Sequence, residues 1–145
     1  MASKAVQLAQ NVTTLLNATG NSWYGQFTAE TSIVPRIEQE KMTGIECQVS
    51  PTNIAGGELV NRQGQTQDDY VVYVALLKRM EDVETDGAAM MDKLETVRDW
   101  LKANRTVSTY KIVGEIPTAP LMSVEHARNK SLYLGVLALT IRVIA

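Results

Sequence analysis

Two hydrophobic repeats organise this chain, one of three to four residues and one of two. Over 3–18, Ala5, Leu8, Ala9, Val12, Leu15 and Leu16 recur at helical spacing and form a single apolar stripe. Ser3 stands ahead of the stripe, where its hydroxyl can accept from an orphaned backbone N–H. The polar run 17–21, with Gly20 inside it, ends the helix. An aromatic- and Thr-rich segment over 23–33 predicts a strand, closed by Pro35, which has no N–H to donate to a ladder.

The period then changes to two. Ile45, Cys47 and Val49 alternate with Glu46, Gln48 and Ser50, the pattern of a half-buried strand, and Pro51 closes it. Over 70–78 both faces are apolar, so this strand is covered on both sides, by a helix on one and by further protein on the other. A second helix is predicted over 86–103, capped by Thr85 or Asp86. Met90, Leu94, Val97 and Leu101 form its stripe, with Met91 and Trp100 beside it. Strands over 109–116 and 131–144 follow. The last carries apolar residues on both faces and is longer than most strands. It is either a central strand or one that a neighbouring subunit covers.

The order α-β-β-β-α-β-β with short connections predicts an α+β fold, an antiparallel sheet with two helices packed on one face. The 145 residues suit one domain with one core, and neither a repeat nor a linker divides them. Two stretches lack a predicted element. The first is a long polar loop at about 50–68, with Asn53, Ile54, Glu58, Leu59 and Arg62 as candidate partner-contact residues. The second is an irregular connection at 117–130. Loops of that length in a compact domain are usually functional or disordered.

Composition narrows the function more by exclusion than by signal. The chain is 45% hydrophobic and 21% charged with net charge −2, which excludes a disordered tail and a strongly basic nucleic-acid binder. One cysteine, Cys47, excludes a disulfide framework and a multi-cysteine metal site, and one histidine, His126, excludes a His-rich centre. The N-terminal segment lacks the apolar core of a signal peptide, and the longest apolar stretch is too short to span a bilayer. The expected place of synthesis is therefore the cytoplasm.

No motif for chemistry is complete. Gly20 to Gly25 has the glycine spacing of a phosphate loop, but Gln26-Phe27 stand where Lys and Ser/Thr are needed. His126 could orient Ser123 or Cys47, yet no nucleophile elbow surrounds any serine, and Cys47 reads as a core residue. The acidic group Glu81, Asp82, Glu84 and Asp86 immediately precedes a helix, where carboxylates complement the positive end of the dipole. That reading is preferred to a hard-cation site. No cofactor, metal or catalytic residue is expected.

Charge order says more than net charge. Residues 38–99 hold 13 acids and 6 bases, a balance of −7, whereas 100–145 hold 2 acids and 6 bases, a balance of +4. Opposite-signed halves suit head-to-tail subunit contacts, which close into rings when the rotation allows. Intermixing of the two in the fold would erase that asymmetry.

Phe27-Thr-Ala-Glu30, Val34-Pro35-Arg36-Ile37-Glu38 and Cys47-Gln-Val-Ser-Pro51, together with the element order and the polar loop after the second strand, resemble the tail terminator proteins of tailed phages. The resemblance spans essentially the whole chain as an order of elements and has no catalytic signature. It implies a non-enzymatic virion protein, a hexameric ring that caps the finished tail tube and joins it to the neck. Its partners would be other copies of itself, the tail tube protein on one face and a neck or connector protein on the other. DNA would pass through the lumen without sequence-specific binding, past the basic residues Arg105, Lys111, Arg128 and Lys130. Another neck component, such as a head-completion or collar protein, is the near alternative. A small enzyme using His126 or the 81–86 acids, or a peptide- or nucleic-acid-binding module, stands further off.

Overall fold

The structure is a computed structural model and describes residues 4–32, 44–59, 66–79, 83–116 and 132–144. The first helix, α1 (Lys4–Leu16), forms where the apolar stripe predicts it and buries Leu8, Ala9, Val12 and Leu16. Asn11, Val12, Thr13 and Thr14 are mediocre helix formers, each costing a few tenths of a kcal/mol. Full burial of a Leu or Val is worth roughly 1.5–3 kcal/mol, so packing rather than propensity holds this helix.

The segment after α1 departs from expectation. In place of a strand over 23–33, the chain turns tightly over 21–26 and only β1 (Ala29–Thr31) is extended. The cause is the exposed carbonyl end of α1. Trp23 Nε1 donates to Leu16 O at 2.9 Å, and Asn21 Nδ2 donates to Leu16 O at 2.8 Å and Leu15 O at 3.2 Å. Asn17 then fixes the entry to β1, donating to Ala29 O and accepting from Ala29 N. The aromatic residues that suggested a strand close the end of the helix instead. Trp23 stacks on Phe27 at 6.3 Å and meets Trp100 edge-on at 5.5 Å.

The hairpin that follows is larger than its sequence suggests. β2 (Glu46–Leu59) and β3 (Thr66–Arg79) pair antiparallel from Glu46↔Leu77 out to Leu59↔Thr66. The expected polar loop at about 50–68 is thus mostly strand. Pro51 does not end β2, because β1 stops opposite Val49 and β2 is an edge beyond it, where a proline is tolerated. Register shifts on either side of Ile54 absorb the irregularity.

α2 (Val83–Ala103) begins three residues before the predicted start and buries Met90, Leu94, Val97 and Leu101. Three strands follow it rather than two. β4 (Thr106–Val107) and β5 (Tyr110–Val113) make a tight hairpin with Ser108 at φ 59°, and Gly114 at φ 71° ends β5. β6 (Leu132–Ile144) is central, paired with β3 on one side and β5 on the other.

The sheet order is β1-β2-β3-β6-β5-β4. The fold is α+β as expected, with one correction. β1 runs parallel to β2, so the sheet is mixed rather than purely antiparallel. β1 and β2 are consecutive in the chain and neighbours in the sheet, and their parallel pairing rules out a tight hairpin between them. Both helices contribute to one core with Val49, Val72, Val74, Leu76, Tyr133, Leu137, Leu139 and Ile141, which places them on one face of the sheet. The connection 117–130 lies outside the described residues.

Candidate assembly surface

The face of the sheet turned away from the helices is built by strand alternation. Cys47 and Val49 point to the core, so Glu46, Gln48 and Ser50 point outward. On β3 and β6 the outward positions are Val71, Tyr73, Ala75 and Leu77, and Val136, Ala138, Thr140 and Arg142. The pairing sets them in rows. Gln48, Ala75 and Val136 form one, Ser50, Tyr73 and Ala138 the next, then Val71, Thr140 and Val113, and finally Asp69, Arg142 and Lys111.

Along these rows the surface changes character. Ala75 and Leu77 are buried against Val136. Ser50 is 3% exposed, and among the described residues its Oγ has no hydrogen-bond partner. Tyr73 is 42% exposed, one of two large hydrophobic residues so placed among the described residues, the other being Tyr24 in the turn after α1. The last row is charged. Arg142 Nε and Nη2 donate to the two Asp69 carboxylate oxygens at 3.1 and 3.4 Å, and Lys111 Nζ donates to Thr106 Oγ1 at 2.9 Å. Thr109, Tyr110, Lys111, Val113 and Arg142 line an open depression of about 460 Å³ beside it. The Tyr110 ring packs against the core on the helix side of β5, where Lys4 of α1 donates to its Oη at 2.7 Å, and this bond holds the Tyr110 hydroxyl below its usual range.

Of the four basic residues singled out in the sequence, Lys111 and Arg105 are among the described residues. Lys111 is exposed on the outer face. Arg105 is turned inward instead, its Nη1 donating to Gly114 O at 2.7 Å and Ile112 O at 3.4 Å, its Nε to Lys102 O at 3.1 Å. Its own carbonyl accepts from Ile112 N at 2.7 Å. It therefore ties the carbonyl end of α2 to the β4–β5 hairpin, where a cation also complements the helix dipole. Arg128 and Lys130 lie outside the described residues. So does Arg62, whereas Asn53, Ile54, Glu58 and Leu59 fall within β2.

The groups weighed for chemistry are placed as follows. Cys47 is 2% exposed, and burial pushes its thiol up to about 12, far from a thiolate at neutral pH. His126, Ser123, Glu81 and Asp82 lie outside the described residues. Glu84 and Asp86 occupy the first turn of α2, and Asp86 lies 4.0 Å from Lys78 Nζ. Among the described residues no group of three or more His, Cys, Asp or Glu is placed to hold a metal ion, and no helix is long and apolar enough to cross a membrane.

The sequence reading missed Asp69, Arg142 and Tyr73 as surface features. They lie on strands recognised by their apolar pattern alone, and their grouping depends on pairing across a long sequence separation. The one available signal was the apolar second face of β3.

No family model and no curated protein matches the chain. Among solved structures it is similar to a chain from the virion of a native gene transfer agent particle. The match covers 99% of this chain and 100% of that one, with 11% identity and a TM-score of 0.53. At that identity the two share a fold.

Proposed function

We propose that this protein is a structural, non-enzymatic subunit of a phage-type virion, assembled as a ring that ends the tail tube and joins it to the neck. The observation that carries the reading is the end-to-end correspondence of its fold with a chain of the gene transfer agent virion, with nearly all of both chains matched. The outer sheet face supports it, since a strand pair apolar on both sides and an exposed Tyr73 suit coverage by a neighbour. In this reading six copies form the ring in the host cytoplasm and remain in the virion. One face meets the tail tube protein and the other a neck or connector protein. DNA crosses the lumen without specific binding, since a tightly gripping lumen would impede passage. The β2–β3 hairpin beyond Ser50, where β2 has β3 on one side only, is the segment proposed to touch a neighbouring ring.

Native mass spectrometry of the protein, alone and with purified tail tubes, tests the proposal. A sixfold species in either sample supports it. A chain that stays monomeric in both contradicts it. A ring that binds connector but never tube moves the protein to another position in the neck.

A further inference from the structure

The exposed side of α2 and the outer face of the sheet are complementary in charge and in spacing. On α2 the exposed positions Ala88, Asp92, Glu95 and Asp99 follow one another at steps of three and four, so they share a stripe. Arg98 Nε lies 3.6 Å from Asp99 Oδ1 beside this stripe, the Asp99 carboxylate staying largely exposed, and Lys102 follows as an exposed cation near the helix end. Ala88 carries only a methyl group and lets another surface approach the helix closely. On the opposite side of the molecule, Lys111 and Arg142 are neighbours across β5–β6, with Asp69 bonded to Arg142 in the same row and one net positive charge left among the three.

Distances along the two surfaces agree. From the Tyr73 row to the Arg142 row is four residues of strand, about 13 Å. From Ala88 to Glu95 and Asp99 is about 10 and 16 Å of helix. A helix laid along the strands with Ala88 against Tyr73 therefore sets its Glu95 and Asp99 carboxylates on either side of the Lys111–Arg142 row. Because the two surfaces lie on opposite sides of the sheet, one chain cannot satisfy both, but successive copies can.

We infer that the outer sheet face of one subunit receives the acidic stripe of α2 from the next copy, a head-to-tail contact with Tyr73 as its apolar anchor. This rests on the ring reading above and specifies the junction within the ring.

A charge-swap experiment tests it, using Lys111→Glu and Asp99→Lys. Both residues are exposed, so neither change disturbs the core, and circular dichroism checks that each variant folds. Reversing attraction to repulsion at every junction should weaken assembly of each variant alone by about tenfold or more, read by native mass spectrometry over a concentration series. A one-to-one mixture should assemble again, because an alternating ring restores opposite charges at every junction. Variants that assemble like the parent chain overturn the inference and leave the ring reading standing. Loss of assembly that mixing does not restore also overturns it. So does a Lys111→Glu ring that forms normally but fails to hold tail tubes, which would give this face to the tube protein. A parent chain that never assembles, alone or on tubes, removes the ring reading itself.

Discussion

Asp69 on β3 and Arg142 on β6 stand opposite each other in register, and the guanidinium bonds both carboxylate oxygens from the open edge of the outer face. The pair lies in the charged row of the outer face, where Lys111 stands opposite Arg142 and donates to Thr106 Oγ1. The Arg142 side chain is 39% exposed and that of Asp69 28%, so water and salt screen the pair. A double-mutant cycle with Asp69→Ala and Arg142→Ala should give a coupling energy of about 0.5–1 kcal/mol, shrinking in high salt. A coupling of several kcal/mol would show the pair to be buried in the solution state.

Trp23 is the residue on which the end of α1 depends. Its indole packs between Phe27 and Trp100 while its N–H caps Leu16. Trp23→Ala should destabilise by about 3–5 kcal/mol in urea unfolding. Trp23→Phe, which keeps an aromatic ring and removes the donor, should cost about 1–2 kcal/mol. Equal losses for the two variants would refute the capping role of the N–H.

Ser108 holds a left-handed backbone at φ 59° that an L side chain adopts at a cost. Ser108→Gly should raise stability by about 0.5–1 kcal/mol, measured as a shift in Tm. Gly114, at φ 71°, has open space where a Cβ would sit. Gly114→Ala should therefore cost only the conformational term, about 1 kcal/mol, with no clash added.

Cys47 gives a pH dependence with a definite sign. Its thiol is raised from 9.0 to about 12 by burial, so above pH 9 the unfolded chain loses a proton that the folded chain keeps. Stability contributed by the buried neutral thiol is present below pH 9 and falls as pH rises toward 12, by up to about 1.4 kcal/mol per pH unit. Burial also raises the Tyr133 hydroxyl, with Glu95 adding to the shift, and this acts in the same direction at still higher pH. Cys47→Ala should flatten the decline between pH 9 and 10, and native protein at pH 8 should resist thiol reagents until urea unfolds it. Rapid labelling of the native protein would contradict this placement.

The parts of the fold legible from sequence are those where burial repeats locally. α1, α2, the start of β2, β3 and β6 show their period in consecutive residues, and Leu8, Val12, Leu94 and Leu101 are buried as that period requires. Misreadings arose where a distant partner decides the local form. The aromatics of 23–27 close a helix end instead of forming a strand, because the Leu16 carbonyl needs donors. Pro51 suggests an end to β2, but β1 leaves that edge free to hold it. The parallel direction of β1 against β2 is a matter of pairing, which periodicity does not encode. The outer face of the sheet was legible only as a strand apolar on both faces, since Asp69, Lys111 and Arg142 converge through register alone. The acidic and basic halves of the sequence meet within one subunit at Asp69 and Arg142, while the α2 positions Asp92, Glu95 and Asp99 remain exposed.

Cryo-electron microscopy of the protein bound to tail tubes decides whether copies of this chain form the proposed ring at the end of a phage-type tail. Sixfold density is expected at one end of the tube, into which the fold fits with α2 of each subunit against the outer sheet face of the next. Density for single copies, for copies along the length of the tube, or none at its end would contradict it.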